Sequence, residues 1–399
     1  MEKTLDGIKV LDLSRVLAGP WATQLLGDYG ADVIKVERPE QGDDTRQWGP
    51  PWLGHESAYF LSTNRNKRSV TINLAVRGGQ SVVRELASQA DILVENFKVG
   101  TLARYGLDPA DLMAANPRLI VCSISAFGLT GSRAGEPGYD AMIQASGGLM
   151  SITGPEGDDG AGPQKVGVAI ADIMAGMYAA TAILAALRVR EKTGVGQLID
   201  VPLYDSQVAW LANQSMNYLV SGQVPERLGT AHPNLVPYQA FRTSDGSVML
   251  AVGNDRQFRA CMTCIGCSDL GEDPRYASNS ARVENRASLV ALIEERLVCE
   301  RTSHWLELFA KEGVPAGPIN DLAEVLTNQH ARERGIVRTL DNAAGDAVPI
   351  VSNPVAFSQT PVSYEKAPPL LGEHTDEVLQ EWLGYSAELI SELRKDSAI

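Results

Sequence analysis

Cysteine and histidine are both scarce, with five of each in 399 residues. So few cysteines exclude a disulfide-stapled scaffold and fit a reducing compartment. Three of them, Cys261, Cys264 and Cys267, are spaced C-x2-C-x2-C, but no fourth cysteine followed by proline completes an iron–sulfur ligand run. The same spacing sets them along one side of a helix starting near Gln257, where cysteine serves as a small buried hydrophobe. The histidines (His55, His232, His304, His330 and His374) are scattered, none at metal-ligand spacing with another, so no metal is expected. Positive charge is in deficit as well: 35 Lys and Arg against 49 Asp and Glu leave a formal charge of −14. That balance argues against a nucleic-acid or anionic-membrane partner, while leaving room for a local basic pocket. Missing too are G-x-G-x-x-G after the first strand, a G-x-x-x-x-G-K-[ST] loop and an H-E-x-x-H helix. The start, Met1-Glu2-Lys3-Thr4-Leu5, is charged and leads straight into a strand, so no secretory leader is expected. No lipid-length apolar segment is read either, and the expected location is the cytoplasm.

What is present is an ordinary globular composition on a chain long enough for two domains. Strand-like runs at 8–13, 32–37, 69–73, 91–95, 119–125 and 196–201 alternate with helical segments, which predicts an α/β fold with a Rossmann-like, doubly wound parallel sheet. Residues 1–216 form the first part of this large domain. Residues 217–330 hold a linker and a smaller α+β domain, with a hairpin at 238–243 and 247–252 turning through Ser244-Asp245-Gly246. Residues 331–399 return to complete the large domain and end in an amphipathic helix over about 375–395. A long polar loop, 38–68, carries Arg38, Arg46, Arg65, Lys67 and Arg68. Loops of that length are usually functional, and five cations on an acidic protein point to an anionic ligand.

One carboxylate stands out. Asp172 lies between the apolar run Val166–Ala171 and a long small-residue segment that carries no other charge as far as Leu187. A helix so uniformly apolar is expected to be buried all round. Asp172 at its N-terminus would face the backbone N–H groups and the helix dipole, which favour its ionised form. It reads either as a reactive carboxylate in a dry site or as an ordinary N-cap.

The run Ile8-Lys9-Val10-Leu11-Asp12-Leu13-Ser14-Arg15-Val16-Leu17-Ala18-Gly19-Pro20 is followed by Leu26-Gly27-Asp28-Tyr29-Gly30-Ala31-Asp32 and Val33-Ile34-Lys35-Val36-Glu37-Arg38-Pro39. Together with Asn64–Ser69, Val94–Phe97, Gly138-Tyr139-Asp140, the Asp172 helix, Gly313–Asn320 and Leu370–Thr375, these motifs resemble the family III coenzyme A transferases along essentially the whole chain. The resemblance implies an interlaced homodimer and no permanently bound cofactor, with a coenzyme A thioester as substrate. It places the nucleophile at Asp172 and CoA contacts at Arg38, Asn96, Phe97 and Arg104, with backbone contacts at Leu17-Ala18 and around Tyr139-Asp140. The segments Gly42–Pro51 and Gly229–Phe241 most resemble the branch that moves CoA between succinate and glutarate. Leu17 stands where the oxalate branch has glutamine, and Gly253-Asn254-Asp255 where that branch has a run of glycines. Tyr139 stands where the racemase branch has the histidine of its proton relay.

Such chemistry runs through an aspartyl anhydride and an aspartyl-CoA thioester, both sensitive to water, so the site must be closed and dry. Each tetrahedral oxyanion needs donors, for which Gly147-Gly148 and Gly253-Asn254 are candidates. A dicarboxylate also needs a reader for its distal carboxylate; Arg46 and Arg65 are candidates, or else ordinary surface ion pairs. The rival readings are an acyl-CoA racemase of the same fold and a non-catalytic CoA-binding subunit.

Overall fold

The computed structural model describes residues 3–157 and 162–399. The chain divides into two compact units. The larger comprises Met1–Leu149, Lys165–Gln223 and Gln329–Ile399, and the smaller Met150–Gln164 and Val224–Asn328. The segment Met150–Gln164 therefore groups with the middle of the chain, not with the residues on either side of it. Nothing in its polar, glycine-containing sequence signals that excursion.

The larger unit is built on six parallel strands: β1 (Lys9–Asp12), β2 (Asp32–Glu37), β3 (Lys67–Thr71), β4 (Ile92–Glu95), β5 (Ile120–Ser125) and β6 (Leu198–Pro202). Their order is β3-β2-β1-β4-β5-β6, the doubly wound arrangement. Its helices include α1 (Ala18–Asp28), α2 (Arg77–Gln89), α3 (Asp140–Ser146), α4 (Ile170–Thr193), α5 (Leu203–Trp210) and α6 (Ala212–Ser221). Strands covered on both faces read as near-continuous apolar runs, because neighbouring side chains feed opposite cores. Val10, Ile92, Val94, Ile120 and Cys122 pack against α1 and α4. Leu11, Ile34, Val70, Leu93 and Val121 pack on the other side with Val82, Val83 and Leu86 of α2.

The α1–α4 contact depends on small residues. A Cβ at Gly176 would lie 2.6 Å from the Ala18 carbonyl oxygen and 3.2 Å from the Trp21 side chain. Only one side of α4 is covered, however. Ala175, Ala179 and Ile183 are buried, whereas Met177 and Tyr178 are each 42% exposed. The expectation of a helix buried all round is corrected: its apolar residues exceed what the sheet and α1 can cover. By length and apolarity α4 also meets the criterion for a membrane span, contrary to the reading that no such segment exists. Its covered side packs as a core helix of this α/β layer.

The smaller unit has an antiparallel sheet of β7 (Tyr238–Arg242), β8 (Ser247–Ala251) and β9 (Ala316–Pro318), with helices α7 (Asp255–Cys264), α8 (Arg286–Leu297) and α9 (Thr302–Lys311). Cys261 is buried in the core of this unit, and all five cysteines are free. No group of potential metal ligands occurs among the described residues.

The return segment adds the hairpin β10 (Val337–Asp341) and β11 (Ala347–Val351), then α10 (Thr375–Leu383) and α11 (Ala387–Lys395). Val378, Leu379 and Trp382 of α10 close the core beside α2. The expected single helix over 375–395 breaks at Gly384, whose φ of 68° suits glycine. A second break separates α5 from α6, where Ala212 has φ 46°.

Candidate active site

In a sheet of this order the chain direction reverses between β1 and β4, and ligands bind in the crevice outside their carboxyl ends. A cavity of about 250 Å³ occupies that position. The loop after β1 contributes Arg15, Val16, Leu17 and Ala18, and the loop after β4 contributes Asn96, Phe97, Lys98 and Val99. Asp44, Phe127, Glu136, Gly138, Tyr139 and Asp172 are also among its lining residues. Sequence residues far apart thus converge: Leu17, Ala18, Asn96, Phe97, Tyr139 and Asp172 share one cavity. Asn96 has a second duty. Its side chain accepts from the Arg15 N–H at 2.8 Å and donates to the Arg15 carbonyl at 2.7 Å, joining the two loops.

Asp172 is the third residue of α4, not its N-cap; Ala169 caps the helix and offers no side-chain bond. The N-terminal donor goes instead to Asp140, which accepts from the Ala171 N–H at 2.8 Å and from Gln144 at 2.7 Å. Burial, and secondarily the nearby Asp140 carboxylate, raise the Asp172 pKa to about 7. The expectation that the helix dipole holds Asp172 ionised is therefore corrected. Desolvation disfavours its charge, and the Ala171 N–H at the helix end serves another carboxylate. Among the described residues, no group donates a hydrogen bond to Asp172. Asp172 is thus a desolvated carboxylate in the cavity wall, and perturbed groups of this kind gather at functional sites.

Four of the five cations of the 38–68 loop, all but Arg38, are held by internal ion pairs. Arg46 is buried, gripping Glu37 through Nε at 2.8 Å and Nη2 at 2.7 Å, and Glu56 through Nη1 at 2.6 Å. It also lies over the Phe60 ring. Arg65 is buried too, paired with Asp28 and donating to the Val351 carbonyl. Neither guanidinium lines the cavity. Lys67 pairs with Asp12, and Arg68 with Asp32, Glu377 and Glu381. A basic count in a loop becomes a ligand signal only if the cations lack internal partners. Here carboxylates on β1, β2, α1 and α10 claim four of the five.

Arg38 is half-exposed and bonded to Asp44, which lies on the cavity wall. Arg104 is exposed, donates to Thr101, and does not line the cavity. The Gly147 N–H closes the end of α3 on the Ile143 carbonyl at 2.7 Å. The Gly253 N–H goes to the Gln257 side chain at 2.9 Å, and Asn254 caps α7. These two donors are therefore spent. Free donors lie at the start of α1, where no side chain caps the helix. The Leu17 and Ala18 N–H groups find no acceptor among the described residues.

Residues that sequence reasoning passed over also meet here. Arg15 and Lys98 line the cavity, Arg15 over the Phe97 ring at 4.9 Å. Both stand in motifs directly after sheet strands, the position from which the switch-point rule would have nominated them. Tyr59 packs edge-on against Trp48, with ring centroids 5.2 Å apart. Burial, then the carboxylates of Asp172, Asp140 and Asp43, push its phenol up to about 12.

The profile of CoA-transferase family III matches residues 5–375. The chain belongs to this family. It is similar to the succinate–glutarate CoA-transferase of Agrobacterium fabrum, 47% identical over 384 residues that cover 94% of this chain and 95% of that protein. It is also similar to the human succinyl-CoA:glutarate CoA-transferase, 44% identical over 391 residues, covering 98% of this chain and 89% of that one. A solved CAIB/BAIF family protein from Brucella suis is 48% identical, superposes with a TM-score of 0.84, and covers 96% of this chain and 100% of its own. As a family III CoA-transferase, the protein takes a CoA thioester as substrate.

Proposed function

We propose that this CoA-transferase moves CoA from succinyl-CoA to glutarate, with Asp172 as the covalent nucleophile. The observation that carries the reading is Asp172 itself, an unbonded carboxylate raised to about 7 in the switch-point cavity. The dicarboxylate pair rests on the named activities of the two relatives that match nearly the full chain.

The ionised Asp172 attacks the thioester carbonyl of succinyl-CoA. As the tetrahedral adduct collapses, the C–S bond breaks, releasing CoA thiolate and leaving a succinyl–aspartyl anhydride. The thiolate attacks the aspartyl carbonyl, forming aspartyl-CoA and releasing succinate. Glutarate then attacks aspartyl-CoA, giving the glutaryl anhydride and thiolate once more. Attack of that thiolate on the glutaryl carbonyl yields glutaryl-CoA and restores the Asp172 carboxylate. The Leu17 and Ala18 N–H groups are the donors available for the oxyanions. Arg15 and Lys98 supply positive charge for the CoA phosphates, with Arg38 at the edge beyond Asp44. Phe97 and Tyr139 offer apolar faces to the rest of the coenzyme.

The enzyme works as a cytoplasmic homodimer in this reading, its two chains interlaced. The uncovered apolar side of α4 and the exposed Trp210, Met216 and Leu219 of α5 and α6 support it. The racemase alternative lacks a base at Tyr139, which is 68% exposed. The test is Asp172→Asn, assayed with succinyl-CoA and a panel of carboxylic acids under mass detection. Wild type forms glutaryl-CoA and the variant forms none, while CoA still binds to it. Transfer by the variant above a trace would end the assignment, and deuterium uptake at Cα of a 2-methylacyl-CoA would restore racemisation.

A further inference from the structure

The loop joining β1 to α1 is held by side chains at five consecutive backbone groups. Asp12 accepts from the Ser14 N–H at 2.9 Å, and Lys35 donates to the Ser14 carbonyl at 3.0 Å. Asn96 takes both polar groups of Arg15. Asp43 accepts from the Val16 N–H with both oxygens, at 3.3 and 3.2 Å. Lys35 and Asp43 are themselves paired at 2.8 Å, both side chains wholly buried. Burial opposes the charge on Asp43, but Lys35 and the Thr45 bonds override it and hold the carboxyl well below its usual range.

These bonds enforce a conformation the chain resists. Val16 has φ 70°, the left-handed region, where a β-branched residue is a steric outlier. Such a residue persists only where its surroundings over-determine it, and such residues gather at functional sites. Past Val16 the chain enters α1 with Leu17 and Ala18 on the cavity wall, and no side chain caps that helix end. A relaxed Val16 would rotate those two peptides.

We infer that Asp43, oriented by Lys35, is a positioning residue for the transfer reaction: it holds Val16 in the left-handed conformation and so fixes the Leu17 and Ala18 N–H groups in the cavity they share with Asp172. The inference rests on the CoA-transfer reading above. It assigns work to a buried ion pair that touches no substrate.

Asp43→Asn keeps the shape and weakens the clamp. We expect kcat to fall at least about tenfold, with the KM for succinyl-CoA changed by less than about threefold, because donors aimed at a developing oxyanion act in the transition state. The decisive measurement is a cycle with Val16→Gly. Glycine occupies φ 70° without a clamp, so Asp43→Asn should cost far less kcat in the Val16→Gly background than in wild type. A merely structural Asp43 would show no such rescue. If Asp43→Asn fails to fold, Val16→Pro decides: proline excludes φ 70° and lacks the N–H, yet leaves the Lys35–Asp43 pair intact. It should fold, bind CoA and lose about a hundredfold in kcat. Wild-type kcat in Asp43→Asn or in Val16→Pro, a loss confined to KM, or an equal cost of Asp43→Asn in both backgrounds would overturn the inference. Hydroxylamine trapping of wild type incubated with succinyl-CoA separates the two levels. Failure to modify Asp172 there sinks the functional reading, whereas trapping alongside an unimpaired Val16→Pro sinks only the clamp.

Discussion

A carboxylate raised to about 7 links activity and stability to pH with opposite signs at Asp172. Its folded pKa lies above the unfolded value near ~3.8, so its protonated form favours folding. That contribution is complete below pH ~4, declines as the pH climbs, and is lost above about 7, where the native state carries the full cost of a desolvated charge. Attack on a thioester needs the ionised form. We therefore expect kcat/KM to fall as the pH drops through about 7, and Asp172→Asn to melt higher than wild type at pH 8, by on the order of 2–4 kcal/mol. The advantage should shrink steadily toward pH 4; melting curves across that range are the check, and an advantage constant with pH would place the titrating group elsewhere. Arg65 makes the contrasting case. Replacing it with Met removes the charge partner of the buried Asp28 carboxylate and leaves it only the Asn66 and Asn353 amides, so we expect a loss of about 3 kcal/mol in unfolding free energy. The ratio of glutarate to monocarboxylate turnover in the folded fraction should stay unchanged. Asp172 was legible because its apolar surroundings announce themselves along the chain. Arg46 and Arg65 were not, because Glu37 and Asp28 reach them only through the fold.

The elements differ in the same way. Parallel strands were readable as short apolar runs, since both faces of β1, β4 and β5 are covered and each residue serves one core or the other. Breaks within helices were harder. Gly384 marks one, but Ala212 with φ 46° marks the other, and no propensity scale assigns alanine there. The helix α3, which brings Asp140 to the start of α4, also escaped, because seven residues make too short a period to register. The α1–α4 contact is the element-scale feature open to direct test. Gly176 faces the Ala18 carbonyl, and a valine there has nowhere to go without parting the helices. Gly176→Val should lower stability by about 1–3 kcal/mol and shift α1, whose first turn lines the cavity, so kcat should fall along with the melting temperature. Gly176→Ala should do the same more weakly. A valine variant that melts and turns over like wild type would mean that the two helices separate at no cost.

At the scale of the molecule the unresolved account is apolar surface. Leu219 is 71% exposed and Val220 80%, Met216 and Tyr218 lie beside them on α6, and α4 adds Met177, Tyr178 and Val189. An isolated chain rarely leaves so many large apolar side chains in water, and a two-fold interface buries the same surface on both copies at once. The formal charge of −14 works against association, so a stable dimer must draw its energy from apolar burial on this face. Sedimentation should therefore give twice the 42.9 kDa of one chain, insensitive to salt over a range that would dissociate an ion-paired interface. Leu219→Glu with Val220→Lys should yield single chains, or insoluble ones, and remove activity along with the dimer. Interlacing adds a kinetic signature that simple side-by-side contact lacks. If each chain must wrap the other, neither reaches its final fold alone, and recovery of activity after dilution from denaturant should be second order in protein. Refolding at a rate independent of concentration, to a product that then sediments as a dimer, would leave the interface standing and discard the interlacing.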